Sequence, residues 1–234
     1  MNKERSNTIL YVGLALLVLS VIFTVLVTVV DVRAIGPNSS SVGFAGINGF
    51  FSEKLPYNHV CYKLSQLLGY LSILIFLFFF ICGIVQLLKR KSFFKVDQSI
   101  LVMVYMMIIL VVLYIAFDKI ALNYRPVLLP GETSLAPSYP STHTLLAVCI
   151  FGAARIDLKH RIGSGKAANI INWMMIILMA ATILARFLAG VHWFTDIIGG
   201  LLISGTLLSF YAALSREPHN KNITEGKEKD YGIN

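Results

Sequence analysis

Three short stretches hold residue types that together could bind and cleave a phosphate ester: Arg125-Pro126, Pro140-Ser141-Thr142-His143, and Arg186-x5-His192-x3-Asp196. Two guanidinium forks match phosphate oxygens bidentately, and the free N–H groups of a helix opening at Ser141 would add partial positive charge. His192 and Asp196 stand four residues apart, so on a helix they share a face, where the carboxylate can hold the imidazole in one tautomer. His192 could then attack phosphorus through its other ring nitrogen, with Asp196 stabilising the imidazolium that develops. His143 could protonate the departing oxygen and later take a proton from water. Arg125 and Arg186 would hold the oxygens whose charge changes most at the transition state.

Each piece alone has an ordinary reading. An arginine before a proline can mark a helix end, and Ser141 after Pro140 is a common N-cap. What gives the set meaning is whether the chain brings the three stretches to one place. That depends on the elements between them.

The chain has 234 residues, of which 56% are hydrophobic and only 14% charged, with a net charge of +8. A soluble domain carries roughly 25% charged residues, so this composition belongs to an all-α, polytopic membrane protein. It excludes a disordered chain and argues against nucleic acid as a partner. Three cysteines, two of them inside apolar runs, do not make a secreted disulfide framework. A bilayer core about 30 Å thick needs roughly 20 apolar residues. Ile9–Val30, Gln66–Leu88, Ile100–Phe117 and Phe194–Leu214 meet that need; Thr144–Ile156 and Ile170–Leu184 are shorter. The 22 residues of the first run exceed a signal core of 7–15, so it reads as a retained span.

Basic residues argue for six spans. With both termini cytoplasmic, 14 of the 20 Lys and Arg fall in inner segments and only Arg33, Lys54, Lys63, Lys119, Arg125 and Arg186 remain outside. If Thr144–Ile156 did not cross, the cluster from Arg155 to Lys166 would face outward. Under this topology all three stretches lie at the extracytoplasmic face of a cell membrane. The other outer carboxylates, Asp31, Glu53, Asp118 and Glu132, form no ligand pattern, so neither a metal nor another cofactor is expected. The outer segment Val32–His59 is rich in aromatics and reads as lying along the interface. Residues 1–215 form one membrane domain with its motifs within 118–196, and 216–234 form a charged, disordered cytoplasmic tail. Small residues such as Gly199 and Gly200 read as close-packing positions, which leaves the oligomeric state open.

The motifs resemble the three signatures of the type 2 phosphatidic acid phosphatase superfamily, which includes undecaprenyl pyrophosphate phosphatases and vanadium haloperoxidases. The resemblance implies a helical core and a metal-independent phosphohistidine mechanism at the outer face. It implies His192 as nucleophile, Asp196 as its partner, His143 as acid, and Arg125, Ser141, Thr142 and Arg186 as phosphate cradle. Three positions depart from the family pattern. Asp118 stands at the usual lysine, and Lys119, one residue on, points about 100° away on a helix. Thr142 replaces a glycine, and Ala185 a serine.

Spans at headgroup depth imply a lipid phosphate substrate among membrane lipids: a polyprenyl pyrophosphate, phosphatidylglycerol phosphate or phosphatidic acid. Hydrolysis is the leading expectation. Phosphotransfer to a lipid hydroxyl would use the same site, and a non-catalytic lipid-phosphate binding or transport protein is a further alternative. Transport would favour broken helices at the bilayer midplane, whereas here the polar residues gather at one edge.

Overall fold

A computed structural model describes residues 3–215. The charged tail expected at 216–234 lies outside them. The elements in order are α1 (Lys3–Val29), α2 (Ala45–Lys54), α3 (His59–Arg90), α4 (Gln98–Ile120), α5 (Thr142–Leu146), α6 (Gly152–Ile162), α7 (Lys166–Leu188) and α8 (Phe194–Leu214). A π-helical turn over Ala147–Phe151 joins α5 to α6. The described residues form no strand, only two isolated bridges, Arg33 with Val42 and Tyr124 with Pro137.

Five helices, α1, α3, α4, α7 and α8, are long and apolar enough to cross a membrane. The outward side chains of α1, α3, α4 and α7 are apolar too: Val18, Leu74, Phe78, Val112, Ile115 and Ile177 are all exposed. A helix apolar on every side is stable only where its outer face meets lipid. The chain is a multi-pass membrane protein.

The expectation of a sixth span at Thr144–Ile156 meets a different arrangement. By length and composition five helices qualify, because the fourth segment is too mixed. The chain is nevertheless helical from Thr142 to Ile162, roughly 30 Å at 1.5 Å per residue. This helix runs through the middle of the bundle, packed by α3, α7 and α8. Ala147, Cys149, Ile150 and Phe151 are fully enclosed and form the core with Met103, Met106, Leu110 and Met175. Its neighbours are protein rather than lipid, so it carries small residues, a π turn and several charges that a lipid-facing helix would not tolerate.

Two polar networks fasten opposite ends of the bundle. At one end Asp97, the N-cap residue of α4, takes hydrogen bonds from Arg90 at 3.0 Å and Gln86 at 2.9 Å and an ion pair from Arg161 at 2.9 Å. Burial alone would raise its pKa; the bonds from Arg90 and Gln86 and the charge of Arg161 outweigh that and hold it below the ordinary carboxylate value. At the other end α2, in the segment before α3, is tied to the start of α8. The Asn48 side chain accepts the Thr195 backbone N–H at 3.1 Å and donates to the Thr195 hydroxyl at 2.9 Å. An orphan N–H at the start of α8 is thus capped from α2. Phe51 stacks on Phe194 with ring centroids 4.7 Å apart, so part of the expected aromatic anchor is spent on this internal contact.

Tyr139 closes the same end. Its hydroxyl pairs with Thr24 of α1 at 2.8 Å and its ring lies against Gly199 of α8. A Cβ at Gly199 would stand 2.5 Å from the Tyr139 ring, which is itself buried and has nowhere to retreat. Gly199→Ala should therefore destabilise the protein by about 1–3 kcal/mol, read as a lowered Tm in detergent; an unchanged Tm would show that Tyr139 can shift without cost.

Candidate active site

The site is assembled where the ends of α4 and α7 meet the starts of α5 and α8. Ala121 adopts a left-handed conformation that ends α4, and Asn123, Tyr124 and Arg125 follow. The Ser138 N–H donates to the Asn123 carbonyl at 2.8 Å and the Arg125 N–H to the Ala136 carbonyl at 3.0 Å, which folds the loop back on itself. The Ser141 N–H then donates to the Asp196 carbonyl at 3.0 Å, so the start of α5 is tied to the first turn of α8.

Asp196 is fully buried and holds three donors. Its Oδ2 accepts the Trp193 N–H at 3.0 Å and faces His192 Nδ1 at 3.4 Å, and its Oδ1 accepts the Asn123 side-chain amide at 3.3 Å. The carboxylate thus favours the proton on Nδ1, leaving Nε2 bare, buried and without a partner. His192 lies between α7 and α8. Burial, and after it the charges of Arg186 and Arg125, hold its pKa well below the usual imidazole value. A neutral imidazole with a free Nε2 is the form that can act as a nucleophile.

Arg186 is 2% exposed, yet no carboxylate pairs with it among the described residues. One nitrogen donates to the Ser65 hydroxyl at 3.3 Å, the guanidinium lies 5.5 Å from the Tyr62 ring centroid, and its Nε has no partner. Arg125 reaches only Glu132, at 3.7 Å, and its Nε is unpartnered too. The His143 ring rests on Gly69 of α3, and its Nδ1 also lacks a partner.

These groups open into two adjoining cavities. The larger, about 420 Å³, is lined by His143, Arg186, Arg125 and Thr142 at one end and by Ile73, Met107, Leu110, Val111 and Leu146 elsewhere. The smaller, about 110 Å³, is lined by His192, Arg125, Thr142 and Asp118. Arg125, Thr142, Tyr114 and Leu145 are common to both. The structure therefore gathers Arg125, Thr142, His143, Arg186, His192 and Asp196. Two further candidates stand apart from the cavity walls. Ser141 is buried and its hydroxyl accepts from Thr144 at 3.0 Å, and Lys119 is exposed on the last turn of α4. Asp118 lines the wall in its stead.

The profile of the PAP2 superfamily matches residues 99–218. The chain belongs to the PAP2 superfamily. The matched segment runs from the start of α4 through α8 and contains every residue that lines the charged ends of the two cavities except those from α3. Among solved structures the chain is similar to the first transmembrane PAP2 type phosphatidylglycerolphosphate phosphatase from Bacillus subtilis, with a TM-score of 0.58 and 18% identity over 95% of this chain and 98% of that one. At that identity the likeness speaks for the fold. No match is found among curated proteins.

Within this PAP2 fold, Ser65, Tyr62 and Gly69 escape sequence reasoning because α3 carries no signature motif. Ser65 sits one residue outside the apolar run that marks its span, a position indistinguishable from any helix end. Gly69 allows the close approach of His143: a Cβ there would meet its ring at 2.8 Å. Gly69→Ala should push the imidazole away from Arg186 and lower kcat by about 10- to 100-fold, since a displacement near 1 Å is worth that much, with little change in Tm. Wild-type kcat in this variant would show that His143 does not depend on its seat.

Proposed function

We propose that the protein is a membrane lipid phosphatase that works through a phosphohistidine at His192 and needs no metal ion. The Arg186 guanidinium carries this reading. A buried charge without a counter-charge costs several kcal/mol, and the set around it supplies unpartnered nitrogen at Arg125, Arg186, His143 and His192. A tetrahedral oxyanion offsets that cost and matches the forks of both arginines. The guanidinium charges of Arg125 and Arg186, both on the wall of the larger cavity, support charge stabilisation by arginine at the reacting phosphate.

The two cavities divide the reaction between them. His192 faces the smaller, His143 the larger, and the cavities join at Arg125 and Thr142. In-line displacement with phosphorus at that junction puts the nucleophile on one side and the departing lipid oxygen on the other. His192 Nε2 attacks phosphorus, the bond from phosphorus to the lipid oxygen breaks, and His143 gives that oxygen a proton. Asp196 stabilises the positive charge gathering on the imidazole. Water then takes the place of the lipid alcohol and gives a proton to His143. Its oxygen displaces His192 from phosphorus, and inorganic phosphate leaves.

The apolar walls of the larger cavity suit a lipid chain whose phosphate lies at the charged end. Asp118 on the wall, with Lys119 turned away, disfavours a second phosphate joined directly to the one that is cleaved. This supports phosphatidic acid or phosphatidylglycerol phosphate over a polyprenyl pyrophosphate. The basic-residue distribution supports six crossings, the sixth being the central helix, with both ends cytoplasmic and the site on the extracytoplasmic side.

Phosphate release from the three lipid classes by purified protein in detergent tests the reading. The expected result is release from the two monoesters above release from the pyrophosphate, inhibition by vanadate and indifference to a chelator. His192→Ala should lower kcat by about a thousandfold or more. No release from any lipid by folded protein, or activity abolished by the chelator, would contradict it.

A further inference from the structure

Asn123 belongs to none of the three signature motifs, yet it is 1% exposed and reaches the centre of the site. Its side-chain amide donates to Asp196 Oδ1 at 3.3 Å while its main-chain carbonyl accepts the Ser138 N–H at 2.8 Å. An ionised carboxylate only accepts, so the amide nitrogen must be the atom facing it. The other carboxylate oxygen, Oδ2, carries the Trp193 N–H and the His192 Nδ1 contact. Asn123 therefore holds the carboxylate oxygen that Trp193 and His192 leave free. With one oxygen fixed from each side, the carboxylate has a single rotation, and that rotation aims Oδ2 at Nδ1.

The next residue repeats the tie. The Trp193 indole N–H donates to the Tyr124 carbonyl at 2.7 Å. Successive residues ahead of Arg125 thus bind Asp196 and Trp193, the second of which is bonded to His192 along the chain. The placement of Arg125 relative to His192 is set through this pair, while Asn123 itself lines neither cavity.

We propose that Asn123 is a positioning residue: it orients Asp196 so that the proton stays on His192 Nδ1 and Nε2 stays free. The inference rests on the reading of His192 as the nucleophile. It is tested with Asn123→Leu and Asn123→Ser, alone and combined with Asp196→Ala, in protein purified in detergent. Asn123→Leu should lower kcat on a short-chain phosphatidic acid by about 10- to 100-fold with KM changed by no more than about threefold. Because the effect runs through Asp196, adding Asn123→Leu to Asp196→Ala should lower kcat by less than about twofold further. A merely structural role would give the same penalty in both backgrounds, and that result, or an unchanged kcat in Asn123→Leu, would overturn the proposal. If Asn123→Leu does not yield folded protein, Asn123→Ser decides by the same two comparisons.

A second measurement does not depend on turnover. In protein labelled with 15N-histidine, the His192 signals, assigned by their loss in His192→Ala, should report a protonated Nδ1 in the wild type and a mixture of tautomers in either Asn123 variant. Absence of phosphatase activity in the wild type would sink the reading of function, and the nitrogen spectrum would still judge Asn123: tautomers unchanged by its substitution would overturn its role.

Discussion

A guanidinium enclosed in protein, with no carboxylate paired to it among the described residues, is the constraint around which the rest of this molecule is arranged. Arg186 ends α7 at a point from which it cannot reach solvent, and the Ser65 hydroxyl and the Tyr62 ring face meet only part of its bonding capacity. A second cation, Arg125, is brought to the same cavity by a loop bonded back on itself. Two like charges held together are tolerable where a dianion balances them. The helices that position them give up stability for that arrangement, and recover it through packing and bonds elsewhere.

That recovery is visible in how the ends of the bundle are tied. Asp97 gathers Arg90, Gln86 and Arg161 at one end of α4, so buried charges there are paired. At the active end three of the ties between helices are neutral. Asn48 caps α8, Tyr139 bridges α1 and α8 through Thr24 and Gly199, and the Ser141 amide joins α5 to α8. None of these three ties puts a carboxylate on Arg186. The same division explains the central helix. Its first half must be small and apolar to sit among α3, α7 and α8, while its second half ends in the charged network.

Much of this was legible in the sequence. Apolar runs mark the five long helices because a helix in lipid must be apolar where it meets lipid, and the close spacing of His192 and Asp196 foretells their contact, although His192 stands ahead of α8 rather than on one helix face with Asp196. The central helix was only half legible, since a helix enclosed by protein loses the uniform hydropathy by which spans are recognised; the charge of its flanking loops had to stand in. The hidden part of the site lies in residues whose role is spatial. Asn123, Gly69 and Ser65 are common types in unremarkable positions, and only the folding of α3 and the post-α4 loop against α8 gives them neighbours. Lys119 shows the converse, a suggestive type one residue away from a useful direction.

The central claim is that His192 takes the phosphoryl group from the lipid, and direct capture of that intermediate tests it. Protein mixed with a 32P-labelled lipid phosphate and quenched in alkali within a turnover should carry acid-labile, alkali-stable label on a peptide containing His192, and His192→Ala should carry none. Label on another residue, or turnover at full rate with no label at any quench time, would contradict the account.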